Sequence, residues 1–557
     1  MQRTLTYLLR IRRSAMSSES IARKLSAATD VDAVVIGAGF SGLYTVYKLR
    51  ELGFTLRAFE QGDGVGGTWY WNRYPGAGSD SESWVYCFSF SRELEQEWNW
   101  SCRFPPQPEI LSYLEYVAER FDLHSAFDFE TRVTSARYDE TAGHWVVETD
   151  HGETVTAEFV ITAVGCLSAT QVPEIPGRDS FAGNWYHTGQ WPKAGVNFTG
   201  QRVGVIGTGS SGIQCIPVIA EQADHLTVFQ RTPQFSVPAG NVPLTDEQRE
   251  TLKRNIREIR ENCRWATIGQ PYDLKDHGVL DVSEEERRRQ FEADWAKGGF
   301  EWMFGSYNDL LFDKQANDIA ADFVREKIRD KVDDPETARK LIPTGYPIGT
   351  KRLPLDQGYF ETYNRDNVDL IDVREEPIVE IVPAGIRTES RTVELDTIVF
   401  ATGFDAMTRP LTRIDFRGRS GVKLEEKWAH GPQTYLGVAM ADFPNLFMIT
   451  GPGSPSVLGN MPTSIEQHVE WITDCMAHMR EIGAKTIEPT VTAEQEWGEH
   501  VGELADATLF PQADSWYMGA NIPGKPRVFL PYIGGFGNYR KLCADIAENG
   551  YEGFSIS

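Results

Sequence analysis

The chain has 557 residues, 41% hydrophobic and 24% charged, which fits a globular protein of more than one domain. Its net charge of −25 argues against a nucleic-acid surface, and no apolar run approaches the roughly 18 residues needed to span a bilayer. The seven cysteines, Cys87, Cys102, Cys166, Cys215, Cys263, Cys475 and Cys543, are odd in number and form no C-x-x-C pair. That argues against a disulfide framework, a zinc site or a paired redox cysteine, and fits reduced thiols in a cytoplasmic protein.

Residues 1–30 carry Arg3, Arg10, Arg12 and Arg13 with no acid before Glu19. They read as a disordered tail, or as translation counted from upstream of Met16, with a targeting presequence as the alternative. The apolar run Asp32–Ile36 then predicts a strand entering Gly37-Ala38-Gly39-Phe40-Ser41-Gly42. A helix is expected over 43–52 and a second strand over 55–59, ending at Glu60, 23 residues after Gly37. In such a unit the first glycine permits a tight turn, the second lets backbone approach a pyrophosphate, and the third lets helix pack on strand. The helix N-terminus offers N–H groups to the phosphates. Glu60 suits the two hydroxyls of an adenosine ribose and would repel a 2′-phosphate, so this site should hold FAD or NAD.

Residues 62–100 are rich in glycine and aromatics, with Gly66-Gly67-Thr68-Trp69-Tyr70-Trp71 leading to Asp80 and Tyr86. This density suits the lining of a flavin-ring pocket, with plain core packing as the alternative. Asp80 follows a tight Pro75-Gly76 turn, so it is positioned, although a loop aspartate is more often a solvated turn former. A helix is expected over about 107–121, an edge segment near the adenine at Thr131-Arg132-Val133, and a buried strand over 159–165.

The stretch Phe181 to Pro192 reads F-x-G-x-x-x-H-x-x-x-W-P, with His187 and Trp191 at its marked positions. By itself it could be an aromatic surface loop before a strand. Downstream, the strand 202–206 enters a second fingerprint, Gly207-Thr208-Gly209-Ser210-Ser211-Gly212, continued by Ile213 and Gln214 into a helix to about Ala223. The next strand, 226–229, lacks a terminal acid. Gln230-Arg231-Thr232 stands there, with Arg231 24 residues after Gly207. A guanidinium can clamp a 2′-phosphate bidentately, so this site suits NADPH over NADH; a solvated strand-end charge is the alternative.

Residues 244–345 are charged and helical, with capping boxes at Thr245-x-x-Gln248 and Ser283-x-x-Glu286 and an apolar face of Ile319, Phe323, Val324 and Ile328. They read as an insertion that packs, or serves as a lid. Gly349-Thr350-Lys351-Arg352 presents two adjacent cations for a phosphate or oxyanion. The apolar strand 399–402 suggests that residues 395–557 return to the first domain. There Gly451 to Leu458 and Met461 form a loop expected to face the flavin, and Trp516 sits in a Gly/Asn/Pro-rich loop.

From about residue 31 these segments resemble the type I flavin-dependent Baeyer–Villiger monooxygenases, nearest their phenylacetone- and steroid-oxidising branch. The residues carrying the likeness are the two fingerprints, Phe181 to Pro192, Trp69 to Gly76, Lys351-Arg352, Ala401 to Asp405 and Gly451 to Leu458. The resemblance implies an α/β fold with two Rossmann-like dinucleotide domains. An FAD domain split over 31–168 and 395–557 would enclose an NADPH domain at 169–394 that contains the helical insertion. It implies NADPH- and O2-dependent conversion of a ketone to an ester or lactone through a flavin C4a-peroxide. Arg352 would stabilise the anionic oxygens, and Asp80 would hold Arg352. His187 and Trp191 would anchor the linker, although an acid–base role for His187 is the tempting alternative. Trp516 would reach over the NADP, and Ser456, Val457 and Leu458 would line the substrate pocket. One departure is Gly78-Ser79, where the family usually has Arg-Cys before the aspartate. The expected partners are a small ketone and O2, with no nucleic acid or membrane, for a monomer or weak oligomer. The competing readings are an N- or S-oxidising flavin monooxygenase and a flavin-binding sensor without turnover.

Overall fold

The structure is a computed structural model that describes residues 30–272 and 274–557; the expectations for the basic N-terminal segment lie outside the described residues. Two parallel-rich sheets organise it, as the fold class anticipates. In the first, Val31–Ile36 is central, parallel to Leu56–Phe59 on one side and to Thr154–Thr162 on the other. Leu56–Phe59 in turn pairs with Phe127–Asp128. Beyond Thr154–Thr162 lie His144–Thr149, Val133–Asp139 and Asp415–Arg417. Thr154–Thr162 pairs antiparallel with His144–Thr149 near its start and parallel with Leu446–Met448 near its end. The strand before the fingerprint therefore ends between two neighbours reached by opposite crossovers, the switch point where α/β sheets bind ligands.

The second sheet is wholly parallel, in the order Val368–Asp372, His225–Gln230, Arg202–Ile206, Thr397–Phe400, Asn184–His187. This corrects the expected boundary at residue 395. Thr397–Phe400, read as the return of the first domain, lies in the second sheet, with Phe400 level with Ile206 and His187. The chain rejoins the first sheet only at Asp415–Arg417 and Leu446–Met448. A short apolar strand is buried on both faces in either sheet, so its pattern does not reveal which one it joins. The segment from Phe181 is likewise more than a linker, because Asn184–His187 is the edge strand of the second sheet. Val133, expected at an edge, opens a strand with a neighbour on each side and is buried.

The insertion divides between the two halves. Its first helix, Asp246–Trp265, starts at a complete Thr245/Gln248 capping box and docks on the first half. There the buried Arg260 donates to the carbonyls of Val85 (2.8 Å) and Cys87 (2.7 Å). At Glu284–Lys297 only half of the expected box forms, Ser283 accepting from the Glu286 amide. On Lys314–Lys331 Phe323, Val324 and Ile328 are buried and Ile319 half-buried, in one cluster with Val203 and Val228 of the second sheet. Among the described residues no helix is long and apolar enough to cross a membrane.

Two buried histidines tie these elements together. His187 Nδ1 accepts from the Gly189 amide (3.0 Å), while its ring also meets the backbone of Gln171 and Gly403. His468 Nδ1 accepts from the Thr450 amide (2.9 Å), and its Nε2 lies 2.8 Å from Tyr539 Oη. Burial pushes His187 down to about 4 and His468 to about 3. An unfolded histidine takes its proton near 6.5, so between those values the unfolded chain binds more protons and stability falls as the pH falls. Buried carboxyls raised by burial, such as Glu60 and Glu466, act in the opposite sense, so the comparison isolates the histidine. Between pH 7 and pH 5 the urea midpoint of His187→Asn, which keeps an acceptor for Gly189, should fall less than that of the parent, by the equivalent of about 3 kcal/mol at most.

Candidate active site

The two fingerprints fold alike. Gly37 and Gly207 both take φ +108°, and each helix begins at a glycine cap, Gly39 (φ −83°, ψ −165°) and Gly209 (φ −78°, ψ −166°), with no side-chain cap. The first-turn amides of Phe40–Glu51 and Ser210–Gln222 are thus left to a ligand, the arrangement that binds phosphate. A Cβ on Gly42 would lie 1.8 Å from the Gly37 carbonyl oxygen, and one on Gly67 would lie 2.8 Å from Gly39 Cα. The Gly66-Gly67 loop therefore hugs the first fingerprint. Nothing lies within 4 Å of a Cβ built on Gly209, which leaves room there for a pyrophosphate.

Glu60 ends its strand as expected. Its carboxylate is buried and accepts from the Ala38 and Gly62 amides, both at 2.8 Å. Burial raises it, against the pull of those amides and of Arg413. At the matching place in the second half Arg231 is exposed, and Lys351 is half-buried. Burial first and Arg231 second push the Lys351 ammonium down. Two cations sharing one corner suit a dianion.

Between the halves lies a cavity of about 1030 Å³. The first half contributes Thr68, Trp69, Asp80, Tyr86 and Met461 to its walls. The second contributes Thr208, Gly209, Ser210, Ser211, Gln214, Arg231 and Thr232, and later segments add Lys351, Arg352, Val457, Leu458 and Trp516. Ser515 Oγ, Asn521 Oδ1 and Gln270 Oε1 are buried without a partner among the described residues, and all three residues line the cavity. Such polar atoms, with the uncapped helix ends and the Arg231–Lys351 corner, fit a flavin and a phosphorylated nicotinamide nucleotide.

Arg352 stands on the cavity wall. Its Nη2 and Nε lie 3.1 and 3.4 Å from Asp80 Oδ2, its Nη1 donates to the Val457 carbonyl at 3.4 Å, and its guanidinium lies 5.2 Å from the centre of the Phe300 ring. Burial pulls its pKa down, but Asp80 and Tyr517 outweigh that and the net shift is upward. Burial raises Asp80, against Arg352 and the Leu355 amide. Asp80 is placed by a loop joined to the second half, where Tyr74 Oη donates to Gln214 Oε1 (2.6 Å) and Gln214 Nε2 donates to the Gly78 carbonyl (3.1 Å).

Some expected site residues lie off the cavity. Ser456 is fully buried behind Val457, its Oγ donating to the Thr450 carbonyl, with a strained φ of +43°. Tyr70 faces Asp63 through its hydroxyl (2.6 Å), Trp71 gives its carbonyl to the Trp191 amide (3.2 Å), and Ile213 is buried in the core. Gly37, Gly39, Ser41, Gly42, Glu60 and Val133 form the separate fingerprint crevice and its surroundings, and Gly212 packs helix on strand. His187 and Trp191 are buried and off the cavity, and Trp191 joins the second half to Trp71. Sequence reasoning missed Tyr517, adjacent to Trp516 on the cavity wall, and Phe300, an aromatic of the insertion over which the Arg352 guanidinium lies. Neither stands in a spaced motif.

Two dinucleotide folds facing one cavity, with a fixed cation at its wall, define a flavin- and nicotinamide-dependent oxidoreductase. Residues 31–237 match the family of flavin-binding monooxygenase-like proteins. A Baeyer–Villiger monooxygenase of Pseudooceanicola batsensis is 47% identical over 94% of this chain and 95% of its own. A phenazine N-monooxygenase of Lysobacter antibioticus is 44% identical over 95% and 97%. An oxidised steroid monooxygenase bound to NADP superposes with a TM-score of 0.91 at 52% identity, over 94% of this chain and 99% of its own. The chain belongs to the Baeyer–Villiger monooxygenases, flavoenzymes that use FAD, NADPH and O2 to oxidise ketones.

Gly42→Ala should yield protein without bound FAD. The added methyl cannot coexist with the Gly37 carbonyl, and the turn that receives the pyrophosphate must open. Absorbance near 450 nm per chain checks this.

Proposed function

We propose that this chain converts a ketone to an ester or lactone at the wall bearing Arg352, consuming one NADPH and one O2 and releasing one water. The observation that carries the reading is the Arg352–Asp80 pair set at 3.1 Å on the cavity between the two nucleotide folds. When bound, FAD reduced by NADPH supplies the activated oxygen. The residues would divide the work as follows. Gly37 to Gly42, Glu60, Thr68, Trp69, Tyr86 and Met461 hold FAD. Thr208, Gly209, Ser210, Ser211, Gln214, Thr232 and Trp516 hold NADPH, with Arg231 and Lys351 on its 2′-phosphate. Arg352 keeps its charge at any working pH and is a third exposed to the cavity. It faces the oxygen that becomes anionic as the carbonyl is attacked, and a fixed charge in a water-poor site stabilises such an oxygen far more than water does. Asp80 fixes the guanidinium and balances its charge. Apolar side chains of the insertion, Phe300 over the guanidinium together with Met303, Phe304 and Leu311, line the same cavity and exclude water from it.

The cavity suits aryl, long-chain or cyclic ketones, and Gly78, in place of the usual arginine, adds no side chain to its lining. The net charge and cysteine usage support a cytoplasmic monomer or weak oligomer. N-oxidation is a second reading favoured by the phenazine N-monooxygenase at 44% identity; product analysis on a ketone, a thioether and a heteroaromatic amine separates the two.

NADPH consumption with phenylacetone, followed by gas chromatography, should show ketone-stimulated turnover with matching ester. Arg352→Ala should lower ester formation on the order of a thousandfold while FAD stays bound; an unchanged ester yield would remove Arg352 from the chemistry. Arg231→Ala should raise the KM for NADPH about tenfold, and Lys351→Ala similarly, leaving the KM for NADH nearly unchanged.

A further inference from the structure

On the reading of Arg352 given above, we propose that Arg103 is a positioning residue for the active-site wall. It stands off the cavity and joins the loop that carries Asp80 to the turn that carries Phe300. The two groups that touch Arg352 are thereby held as one bracket.

Arg352 meets Asp80 Oδ2 at 3.1 Å through Nη2, and its guanidinium lies 5.2 Å from the centre of the Phe300 ring. These neighbours come from different segments, Asp80 from the first half and Phe300 from the insertion. Phe300 follows two consecutive glycines, Gly298 and Gly299, at φ +67° and +71°. The helix Glu284–Lys297 ends there, and glycine has no side chain to hold such a turn in place. The amides of the turn are used by backbone, Gly298 donating to the Trp295 carbonyl (3.2 Å) and Gly299 to that of Pro238 (2.8 Å). Its carbonyls are taken by Arg103, Nη1 donating to Lys297 at 2.6 Å and Nη2 to Gly298 at 3.4 Å. A cation at the C-terminal end of a helix also meets the favourable pole of its dipole.

The Arg103 guanidinium is anchored from behind. Its Nη2 lies 3.1 Å from Glu82 Oε1, and Glu82, 2% exposed, is two residues beyond Asp80. Tyr272 Oη donates to the same oxygen, and the Phe104 ring centre lies 4.8 Å from the guanidinium. The Arg103 backbone is fixed as well, its amide donating to the Val242 carbonyl (3.0 Å) and its carbonyl accepting from the Ser83 amide (2.7 Å). A closed chain of contacts results. It runs from Arg352 through Asp80, Glu82, Arg103 and the Lys297–Gly299 turn to Phe300, and back to Arg352. Without the Arg103 guanidinium the turn keeps its amide bonds and loses the tie that sets its distance from the Asp80 loop. Phe300, which lines the cavity, would then leave the face of Arg352, changing the wall that a ketone meets and admitting water.

The test uses FAD-loaded Arg103→Met, Arg103→Lys, Phe300→Leu and each Arg103 variant combined with Phe300→Leu, beside Arg352→Ala. NADPH and phenylacetone are supplied, and ester and hydrogen peroxide are assayed separately. Arg103→Met keeps an apolar stem and removes every donor. It should raise the KM for phenylacetone about tenfold, the equivalent of one lost hydrogen bond from a charged group, and raise the peroxide share. The KM for NADPH should stay unchanged. In Phe300→Leu the same substitution should change the ketone KM by less than about twofold, because the ring that Arg103 aims is gone. Arg103→Lys keeps a positive charge beside Glu82, but a point charge cannot span both carbonyls and the carboxylate as a planar fork does. It should raise the ketone KM about threefold, again only where Phe300 is present. If Arg103→Met does not load FAD, Arg103→Lys decides alone. Unchanged KM and coupling, an effect that persists at full size in Phe300→Leu, or a KM for NADPH that rises in step would each mean that Arg103 only supports the fold. The inference then falls while the reading of Arg352 stands. If Arg352→Ala itself keeps making ester, that reading falls and the inference with it.

Discussion

The contact on which the site depends is the ion pair between Asp80 and Arg352, because its members arrive from opposite sides of the molecule. Asp80 comes from a loop of the first half, held in place by bonds from Gln214 on the fingerprint helix of the second. Arg352 comes from the segment that leaves the helical insertion. A partly buried pair of this kind adds little net stability, since desolvation offsets most of the attraction; removing one partner leaves the other uncompensated, at a cost of about 3 kcal/mol or more. An apolar pair would hold the halves together as well. What the charges provide is a cation fixed on the wall of the cavity between the halves. Any relative shift of the halves would separate Asp80 from Arg352 before it disturbed the cores.

The same logic of charge separates the two nucleotide sites. The fingerprints share their backbone to within a few degrees at Gly39 and Gly209, so the turn alone cannot choose a cofactor. On the proposed function, selection would fall to the residue at the end of the next strand. Glu60 is buried and tied to two amides, which leaves a compact negative edge that a 2′-phosphate would have to approach unpaired. Arg231 is exposed, and its field adds to burial in lowering the Lys351 ammonium while Asp514 opposes it, so on the proposed function this corner would favour an anion.

Much of this was legible in the sequence, for a physical reason. Glycine turns, strand-end charges and apolar strands act locally, so Gly37, Glu60, Gly207 and Arg231 stand where spacing placed them. Tertiary assignment was less legible. Thr397–Phe400 has the same apolar character in either sheet, and only the spatial gap between Arg202–Ile206 and Asn184–His187 fixes its place. Ser456 fell off the cavity because the chain there turns through a strained φ of +43°, which reverses the side expected from its neighbours. Tyr517 and Phe300 escaped notice because neither belongs to a periodic or spaced pattern. Phe300 matters through its contact with the Arg352 guanidinium, which sequence separation hides.

The insertion is better understood as a brace than as a lid. A lid needs a weak seam with one of its two neighbours, whereas here both seams are buried. Arg260, on the helix docked against the first half, is 4% exposed and clamps the carbonyls on either side of Tyr86. Glu466, also buried, accepts from both the amide and hydroxyl of Ser89 and lies within the field of Arg260. Phe291, Trp302 and Phe323 merge at the other end with the core of the second sheet. Opening that seam would expose a buried guanidinium and carboxylate together with a cluster of aromatic rings.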